Sequence, residues 1–243
     1  MATLAVYSSK GGVGKTSLAV NLAWAAATLS SRRTLLWDLD AQGAASFILA
    51  PDRTNAHEAS AVIERDVSPE KLIVPTGVAG LDLLPADASL RTLDLQFAEL
   101  GAKKRLQRIG DVLARRYDRI VIDCPPGLGL TAEQVIRSAS LILLPLIPSA
   151  LSTRAADELR RHLDSRKASP PVLAVFNLVD RRRASHRAAL AAAPDQPAIP
   201  MATAVEQMAD RHAPLGAYAP RSPAAVAIAD LWRIVERALV KHG

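Results

Sequence analysis

The sequence predicts an α/β fold, a doubly wound and mostly parallel sheet with helices on both faces. Apolar runs of strand length alternate with helical patterns along the chain, which is typical of parallel α/β folds. A glycine-rich turn joins the first apolar run to the first helical pattern, and two later apolar runs end in aspartate. Polar groups at the carboxyl ends of parallel strands face a ligand crevice. Because 243 residues suit one large α/β domain, we expect a single domain over 1–243.

The composition limits the classes of protein that fit. Lysine and arginine number 30 against 24 acidic residues, and the formal charge of +6 is compatible with polyanion binding. The single cysteine, Cys124, excludes a disulfide framework and any cluster held by several cysteines of one chain. No apolar run approaches the ~18 residues of a membrane span, and the chain starts with a strand pattern rather than a signal peptide. We therefore expect a cytoplasmic protein.

The first strand pattern, 4–8, leads into Lys10-Gly11-Gly12-Val13-Gly14-Lys15-Thr16-Ser17, and a helical pattern runs over 16–29. Strand, glycine-rich turn and helix are the context of a phosphate-binding P-loop. Glycines let backbone N–H groups turn inward around a phosphate, and the helix N-terminus adds its positive dipole end. We expect Lys15 to reach the β- and γ-phosphates of ATP and the Thr16 hydroxyl to bind Mg²⁺. The predicted nucleotide-binding residues of this loop are Gly11, Gly12, Val13, Gly14, Lys15, Thr16 and Ser17.

The loop departs from the ordinary P-loop spacing at its start. Six residues before Lys15 stands Ser9 where glycine is usual, and Lys10 leads the glycine pair. This form resembles the signature of the ParA/MinD family of deviant Walker A P-loop ATPases, in its ParA-like branch. The resemblance implies a P-loop NTPase fold, ATP with Mg²⁺, and a catalytic Lys10 that reaches across a dimer interface to the partner subunit's nucleotide.

The apolar run 34–40 predicts a buried parallel strand, and it ends in Asp38 and Asp40 beside the P-loop. The residues 38–43 resemble the family's second motif, Asp-x-Asp-Pro-Gln-Gly, with Ala41 in place of the usual proline. The resemblance implies that Asp40 is catalytic and positions the attacking water, and that Asp38 supports the water shell of the metal. A capping or turn role for the two aspartates is the alternative.

The middle of the chain carries weaker patterns. The polar stretch 51–69 predicts short helix and loop, and 72–75 and 81–85 predict two short strands. Helical patterns follow over 88–100 and 103–116. The second of these is amphipathic, and its predicted apolar face consists of Leu106, Ile109, Val112 and Leu113.

The apolar run 119–123 ends in Asp123, which is the Walker B arrangement. We expect this carboxylate to hold Mg²⁺ through its hydration shell. The residues that follow, Cys124-Pro125-Pro126-Gly127, resemble the family's Asp-x-Pro-Pro motif. The resemblance implies that this loop senses the γ-phosphate and shapes the dimer interface.

Two further strands, with a helix between them, are predicted after Asp123. The apolar run 141–148 predicts a buried strand, 152–166 a helix, and 172–180 the last clear strand. In the family this strand ends at an asparagine that contacts adenine, so the resemblance makes Asn177 the candidate for base recognition, with Pro200 after a short strand at 198–199. A turn-forming asparagine is the alternative.

Basic residues concentrate after that strand, and a closing helix is predicted over 223–240. Its apolar residues spread too widely for a thin membrane-binding stripe, and we expect it to pack against the core. The predicted apolar residues of this helix are Val226, Ile228, Leu231, Ile234, Val235 and Leu239. In the ParA branch, nonspecific DNA binding is attributed to basic residues of this C-terminal part, although a solvated face would look the same. The DNA-binding candidates are Arg181, Arg182, Arg183, Arg187, Arg211 and Arg221.

The resemblance implies an ATPase that partitions or positions a cargo such as a plasmid, a chromosome region or a large assembly. On this reading an ATP-bound homodimer holds duplex DNA nonspecifically, and a ParB-like or other cargo adaptor protein stimulates hydrolysis. We expect nucleoid association and no stable membrane association. Two alternatives stay open: a MinD-like membrane-cycling ATPase, and a metabolic ligase that uses the same P-loop.

Overall fold

The structure is a computed structural model, and it describes residues 1–54, 57–64, 67–101, 104–164 and 169–242. The strands are β1 (Ala2–Val6), β2 (Thr34–Asp38), β3 (Val74–Pro75), β4 (Leu81–Leu84), β5 (Arg119–Asp123), β6 (Leu141–Leu146), β7 (Val172–Val179) and β8 (Ala198–Pro200). The helices are α1 (Lys15–Leu29), α2 (Ala44–Leu49), α3 (Ser60–Glu64), α4 (Leu93–Leu100), α5 (Arg105–Leu113), α6 (Leu130–Ser138), α7 (Ala150–Asp164), α8 (Ala184–Ala192), α9 (Thr203–Glu206), α10 (Met208–Arg211), α11 (Leu215–Tyr218) and α12 (Pro223–His242).

The described strands form one eight-stranded sheet in the order β3-β4-β2-β5-β1-β6-β7-β8. Neighbouring strands are parallel except β3 and β4, which are antiparallel. From β1 the chain builds one side of the sheet through β2 and β4, returns through β5, and then builds the other side through β6, β7 and β8. The direction of winding therefore changes beside β1, where open α/β sheets form a ligand crevice. The predicted doubly wound fold is confirmed.

Helices cover both faces of the sheet, which explains the continuous apolar runs of its strands. Every residue of β1, β2 and β5 is buried. Alternate side chains enter opposite cores: Leu4 and Val6 of β1 join the core under α1 and α12, whereas Ala5 joins the core under α5 and α6. The carboxyl ends of β1, β2 and β5 are thereby held rigidly at one edge of the sheet.

Two details of the middle segment differ from the sequence-based prediction. The predicted helix over 88–100 divides into a 3₁₀ turn at Ala88–Thr92 and α4. The pattern also places Val112 on the buried face of α5, and this prediction is wrong because Val112 is 43% exposed. Val112 lies about 100° around the helix from the buried Leu113, outside the stripe that faces the sheet.

The predicted packing of α12 against the core is confirmed, although two of its predicted apolar residues are not buried: Val226 is exposed and Ile234 is half-buried. Val226 lies on the predicted apolar face but is 49% exposed, whereas Trp232, which the prediction leaves out, is buried. The buried face of α12 therefore includes a tryptophan, whereas the pattern assigns that face to aliphatic residues alone. The predicted residues of α12 that are buried are Ile228, Leu231, Val235 and Leu239.

Two predicted helix ends lie outside the described residues. They are Lys103, the predicted start of the helix over 103–116, and Arg166, the predicted end of the helix over 152–166.

A buried ion pair fixes α12 to the amino-terminal edge of the sheet. Both oxygens of the Glu236 carboxylate accept hydrogen bonds from Arg119, from its Nη2 at 2.7 Å and its Nε at 2.8 Å. Arg32 adds a third bond to Glu236 from its Nε at 2.9 Å. The side chains of Arg119 and Glu236 are 9% and 15% exposed, so each charge is stabilised by the other rather than by water.

We expect Glu236→Ala to lower the free energy of unfolding by about 3 kcal/mol, because it leaves the Arg119 guanidinium buried without a counter-charge. Arg33→Ala is the matched control, since it removes an exposed pair with Asp118 that solvent screens and that contributes much less to stability. Urea denaturation of both variants measures the difference. Equal losses in the two variants would contradict this account of α12.

Candidate nucleotide-binding site

The P-loop connects β1 to α1 and presents an open helix end. Gly12 and Gly14 have φ angles of 71° and 82°, a left-handed conformation that favours glycine. Gly14 caps α1, and among the described residues no side chain accepts a hydrogen bond from this end of the helix. The first N–H groups of α1 are thus available to an anion.

The two lysines of the loop differ in exposure. Lys15 is only 7% exposed, and its Nζ donates to the Lys10 carbonyl at 3.3 Å, so its charge lies inside the loop. The Lys10 side chain is exposed. One cation therefore lines the candidate phosphate site, and the other is directed at solvent, where a second subunit could be reached.

Asp123 ends β5 and lies opposite Asp38 of β2 in the sheet register. It is fully buried, and neither of its carboxylate oxygens has a hydrogen-bond partner within the described part of the chain. Burial raises the pKa of Asp123 well above its ordinary value, and the Asp38 charge raises it further. The Thr16 hydroxyl, which lies near the carboxylate without forming a hydrogen bond to it, and the Lys15 charge lower this pKa. A buried carboxylate without donors is costly unless a cation is bound. The residues therefore fit a divalent cation between Thr16 and Asp123.

Asp38 is also fully buried, but its oxygens are used. Oδ1 accepts the Asp40 N–H at 3.1 Å, and Oδ2 accepts the Ser46 N–H at 3.0 Å and the Ser46 hydroxyl at 2.7 Å. Burial raises the pKa of Asp38 to about 6, although the Ser46 donors act in the opposite direction. Asp38 thus organises the loop after β2, and its predicted support of a metal's water shell stays a prediction.

Asp40 lies at the mouth of the crevice and is half-buried. Its Oδ1 accepts the Gln42 N–H at 3.0 Å and its carbonyl accepts the Gly43 N–H at 2.8 Å. This turn forms although Ala41 stands where the family motif has proline. Asp40 shares a cleft with Pro125 and other residues of the loop after Asp123. A carboxylate in this position can orient a water molecule in the cleft, which remains the predicted role of Asp40.

Two residues that the sequence did not single out hold the loop 124–129. The Tyr7 hydroxyl donates to the Gly127 carbonyl at 2.9 Å. Asp94 of α4 accepts the Thr131 N–H at 2.8 Å and the Thr131 hydroxyl at 2.6 Å, which satisfies a donor at the start of α6. Both contacts join segments far apart in sequence, so no local pattern could reveal them.

The adenine candidates lie next to the P-loop. The Asn177 side chain is buried, and its Nδ2 donates to the Val13 carbonyl at 2.8 Å. The strand β7 bulges here, with Leu178 at φ 55°, and this irregularity turns Asn177 toward the loop. Asn177 and Pro200 both line a small cleft with Gly14. The structure therefore brings the two candidates together and shows that Asn177 fixes the P-loop, while its contact with a base stays a prediction.

The six candidate arginines are all exposed. Arg182 is paired with Asp180 through two hydrogen bonds of 2.9 and 3.0 Å, and Arg187 donates to the carbonyls of Arg181 and Arg182. Arg211 lies over the Tyr218 ring at 4.9 Å. No ion pair with a described residue is formed by Arg181, Arg183 or Arg221.

A protein-family model described as an AAA domain matches residues 1–170. A ParA family protein of Chlamydia trachomatis is 31% identical over 175 residues, which are 71% of this chain and 69% of that protein. The chromosome partitioning protein ParA of Myxococcus xanthus is 36% identical over 148 residues, which are 59% of this chain and 51% of that protein. The match therefore spans about half to two thirds of the length of these relatives.

The solved structures that resemble this chain include one that contains nucleotide and metal. Cobyrinic acid a,c-diamide synthase from Mycobacterium smegmatis, with bound ATP analog and magnesium, superposes with a TM-score of 0.79 at 28% identity. The superposition covers 98% of this chain and 95% of that chain. The likeness therefore extends beyond the residues that the family model matches.

We expect Asp123→Asn to raise the free energy of unfolding of the nucleotide-free protein by roughly 1–3 kcal/mol at neutral pH, because it removes an uncompensated buried charge. An acid whose pKa is raised on folding destabilises the folded state once the pH rises above its unfolded value. The advantage of the variant should thus grow from about pH 4 to about pH 7.

Urea denaturation across that pH range measures the effect. Asp118→Asn is the control, because Arg33 lowers the pKa of that exposed carboxylate to about 2, so its removal should destabilise slightly. A loss of stability in Asp123→Asn would show that the carboxylate is already compensated in the nucleotide-free protein.

Proposed function

The chain belongs to the ParA family of P-loop ATPases, and on that premise we propose that it hydrolyses ATP with Mg²⁺ to position or partition a cargo on DNA. The observation that carries the proposal is the geometry of the P-loop. The N-terminus of α1 has no side-chain cap, the Lys15 side chain is buried within the loop, and Lys10 is exposed. We propose that the described chain acts as one domain in this function, since its strands share one sheet.

The nucleotide part of the proposal assigns the phosphates to the P-loop. The N–H groups at the start of α1 and the Lys15 ammonium would hold the phosphates, and Asn177 keeps the loop in shape from β7. The described residues contain no group of three His, Cys, Asp or Glu that could hold a metal alone, so Mg²⁺ would be shared between Thr16, Asp123 and phosphate oxygens. When bound, Mg²⁺ neutralises charge that develops on the phosphate oxygens.

Hydrolysis is assigned to Asp40 and the two lysines. Asp40 lines the cleft next to the loop that follows Asp123, so its carboxylate can orient a water molecule for in-line attack. Lys15 would stabilise the charge on the phosphates from within the same subunit. The exposed Lys10 side chain supports a role at the partner subunit's nucleotide, which makes the homodimer the hydrolytic unit.

The DNA part of the proposal rests on exposed arginines. Arg181 and Arg183 follow β7 at its carboxyl end, which is the edge of the sheet that carries the P-loop. A dimer formed at this edge would bring two such surfaces together and roughly double the phosphate contacts. Because affinity depends steeply on the number of phosphate contacts, dimerisation would switch DNA binding on. A ParB-like or other adaptor protein on the cargo would stimulate hydrolysis and release, and the ATP-bound form would associate with the nucleoid.

Two rival functions are less well supported. A membrane-cycling ATPase needs a C-terminal helix that can enter lipid, but the apolar face of α12 is buried in the core. None of the described helices is long and apolar enough to cross a bilayer. ATP-coupled amide synthesis is favoured by the likeness to the Mycobacterium smegmatis synthase. Lys10 and the 38–43 motif favour partitioning, and formation of an amide from a diacid substrate would decide for the ligase.

We expect Asp40→Ala to accumulate as an ATP-bound dimer, because the nucleotide site is intact while the attacking water is no longer oriented. Light scattering after size-exclusion chromatography in Mg-ATP measures the mass of the variant. Lys15→Ala is the control and should remain monomeric, since it loses the cation inside the P-loop. A monomeric Asp40→Ala protein with bound ATP would contradict the role of Asp40.

We expect the double variant Arg181→Glu/Arg183→Glu, made in the Asp40→Ala protein, to bind random-sequence duplex DNA at least about tenfold more weakly, because two cations per subunit are reversed. Fluorescence anisotropy at several salt concentrations measures the affinity and its salt dependence. Arg115→Glu/Arg116→Glu is the matched control, because it reverses two exposed arginines that precede β5 at the opposite edge of the sheet. Equal DNA affinity in the double variant and the control would remove these arginines from the interface.

A further inference from the structure

Ser46 is a fully buried hydroxyl that the sequence motifs do not mark. It lies in the first turn of α2, where its hydroxyl donates to Asp38 Oδ2 at 2.7 Å and its N–H donates to the same oxygen at 3.0 Å. The Ser46 oxygen also accepts the Ala86 N–H at 2.9 Å. Because that N–H supplies a proton from the other side, the hydroxyl proton is committed to Asp38.

The Asp38 carboxylate connects Ser46 to the loop that carries Asp40. Its second oxygen, Oδ1, accepts the Asp40 N–H at 3.1 Å. The Asp38 backbone is fixed at the end of β2 by its pairing with β5, so the remaining freedom of its carboxylate is rotation about χ1 and χ2. Two donors from Ser46 on one oxygen hold that rotation, and the other oxygen then holds the Asp40 backbone.

We propose that Ser46 is a positioning residue for ATP hydrolysis, whose hydroxyl clamps the Asp38 carboxylate so that Asp38 holds the Asp40 backbone and aims the Asp40 carboxylate at the attacking water. This role rests on the proposed function, because it concerns the same site. Ser46 does not touch the nucleotide in this scheme and acts through Asp38. The bond from Ala86 fixes the clamp itself to the segment that follows β4.

The backbone N–H of Ser46 has a separate, structural duty. The cap of α2 is Gly43, which has no side chain to satisfy the first N–H groups of the helix, and Asp38 takes that role. That bond persists in every variant of residue 46 that keeps the helix. The hydroxyl is therefore separable from helix capping, and its removal tests positioning.

Steady-state hydrolysis of Ser46→Ala tests the proposal. We expect kcat to fall about tenfold while the KM for ATP and the dissociation constant for ADP change by less than about twofold, because the loss concerns the water and not the phosphates. Ser46→Thr keeps the hydroxyl and should recover most of the rate. Ser140→Ala is the control, since its hydroxyl accepts the Thr3 N–H at 3.2 Å at the opposite edge of the sheet, and it should hydrolyse ATP like the unmodified protein.

The outcomes separate this inference from the function on which it rests. An unmodified protein that binds ATP but never hydrolyses it contradicts the proposed function and the positioning role with it. Normal kcat in Ser46→Ala, or a Ser46→Thr protein as slow as Ser46→Ala, overturns the positioning role alone. A parallel loss of kcat, ADP affinity and thermal stability in Ser46→Ala overturns it too, because the hydroxyl would then hold the fold rather than the reaction.

Discussion

Two buried carboxylates lie side by side at the carboxyl ends of β2 and β5, and the organisation of the site depends on how each charge is met. Asp38 receives three hydrogen bonds, one from the loop that follows it and two from Ser46 of α2. Asp123 has no donor on either oxygen within the described residues. Each of these two adjacent buried carboxylates disfavours ionisation of the other, and a bound cation would relieve this repulsion. One carboxylate thus shapes the loop after β2, and the other is available for the Mg²⁺ that we propose.

The rest of the crevice follows from this division. The P-loop follows β1, which pairs with β5, and Asn177 from the bulge in β7 donates to the Val13 carbonyl of this loop. The loop after Asp123 is fixed on one side by Tyr7 and on the other by Asp94. Each of these contacts joins segments that lie far apart in the sequence. A phosphate group bound at α1 would therefore lie close to elements from both halves of the sheet, which suits a switch between two states.

The sequence predicts the parts of this site that are encoded by short spacings. Lys10, Lys15 and Thr16 belong to one short segment. Asp40 and Asp123 each come at the end of an apolar run, so a parallel sheet places both of them at the same edge as that segment. The sheet was predictable for the same reason, because strands buried on both faces read as continuous apolar runs. Periodicity did less well at helix surfaces, where Val112 and Val226 are apolar and yet exposed. Ser46, Tyr7 and Asp94 could not be predicted, since their partners are set by tertiary packing and not by local spacing.

We propose that ATP controls DNA binding by this protein, and binding measurements on the unmodified protein test this directly. Its binding to random-sequence duplex DNA would be measured with Mg-ATP, with Mg-ADP and without nucleotide, over a range of salt concentrations. We predict binding with Mg-ATP alone, with an affinity that falls steeply as salt rises because several phosphate contacts are made. Binding that is equal in the three states, or absent from all of them, would contradict the account.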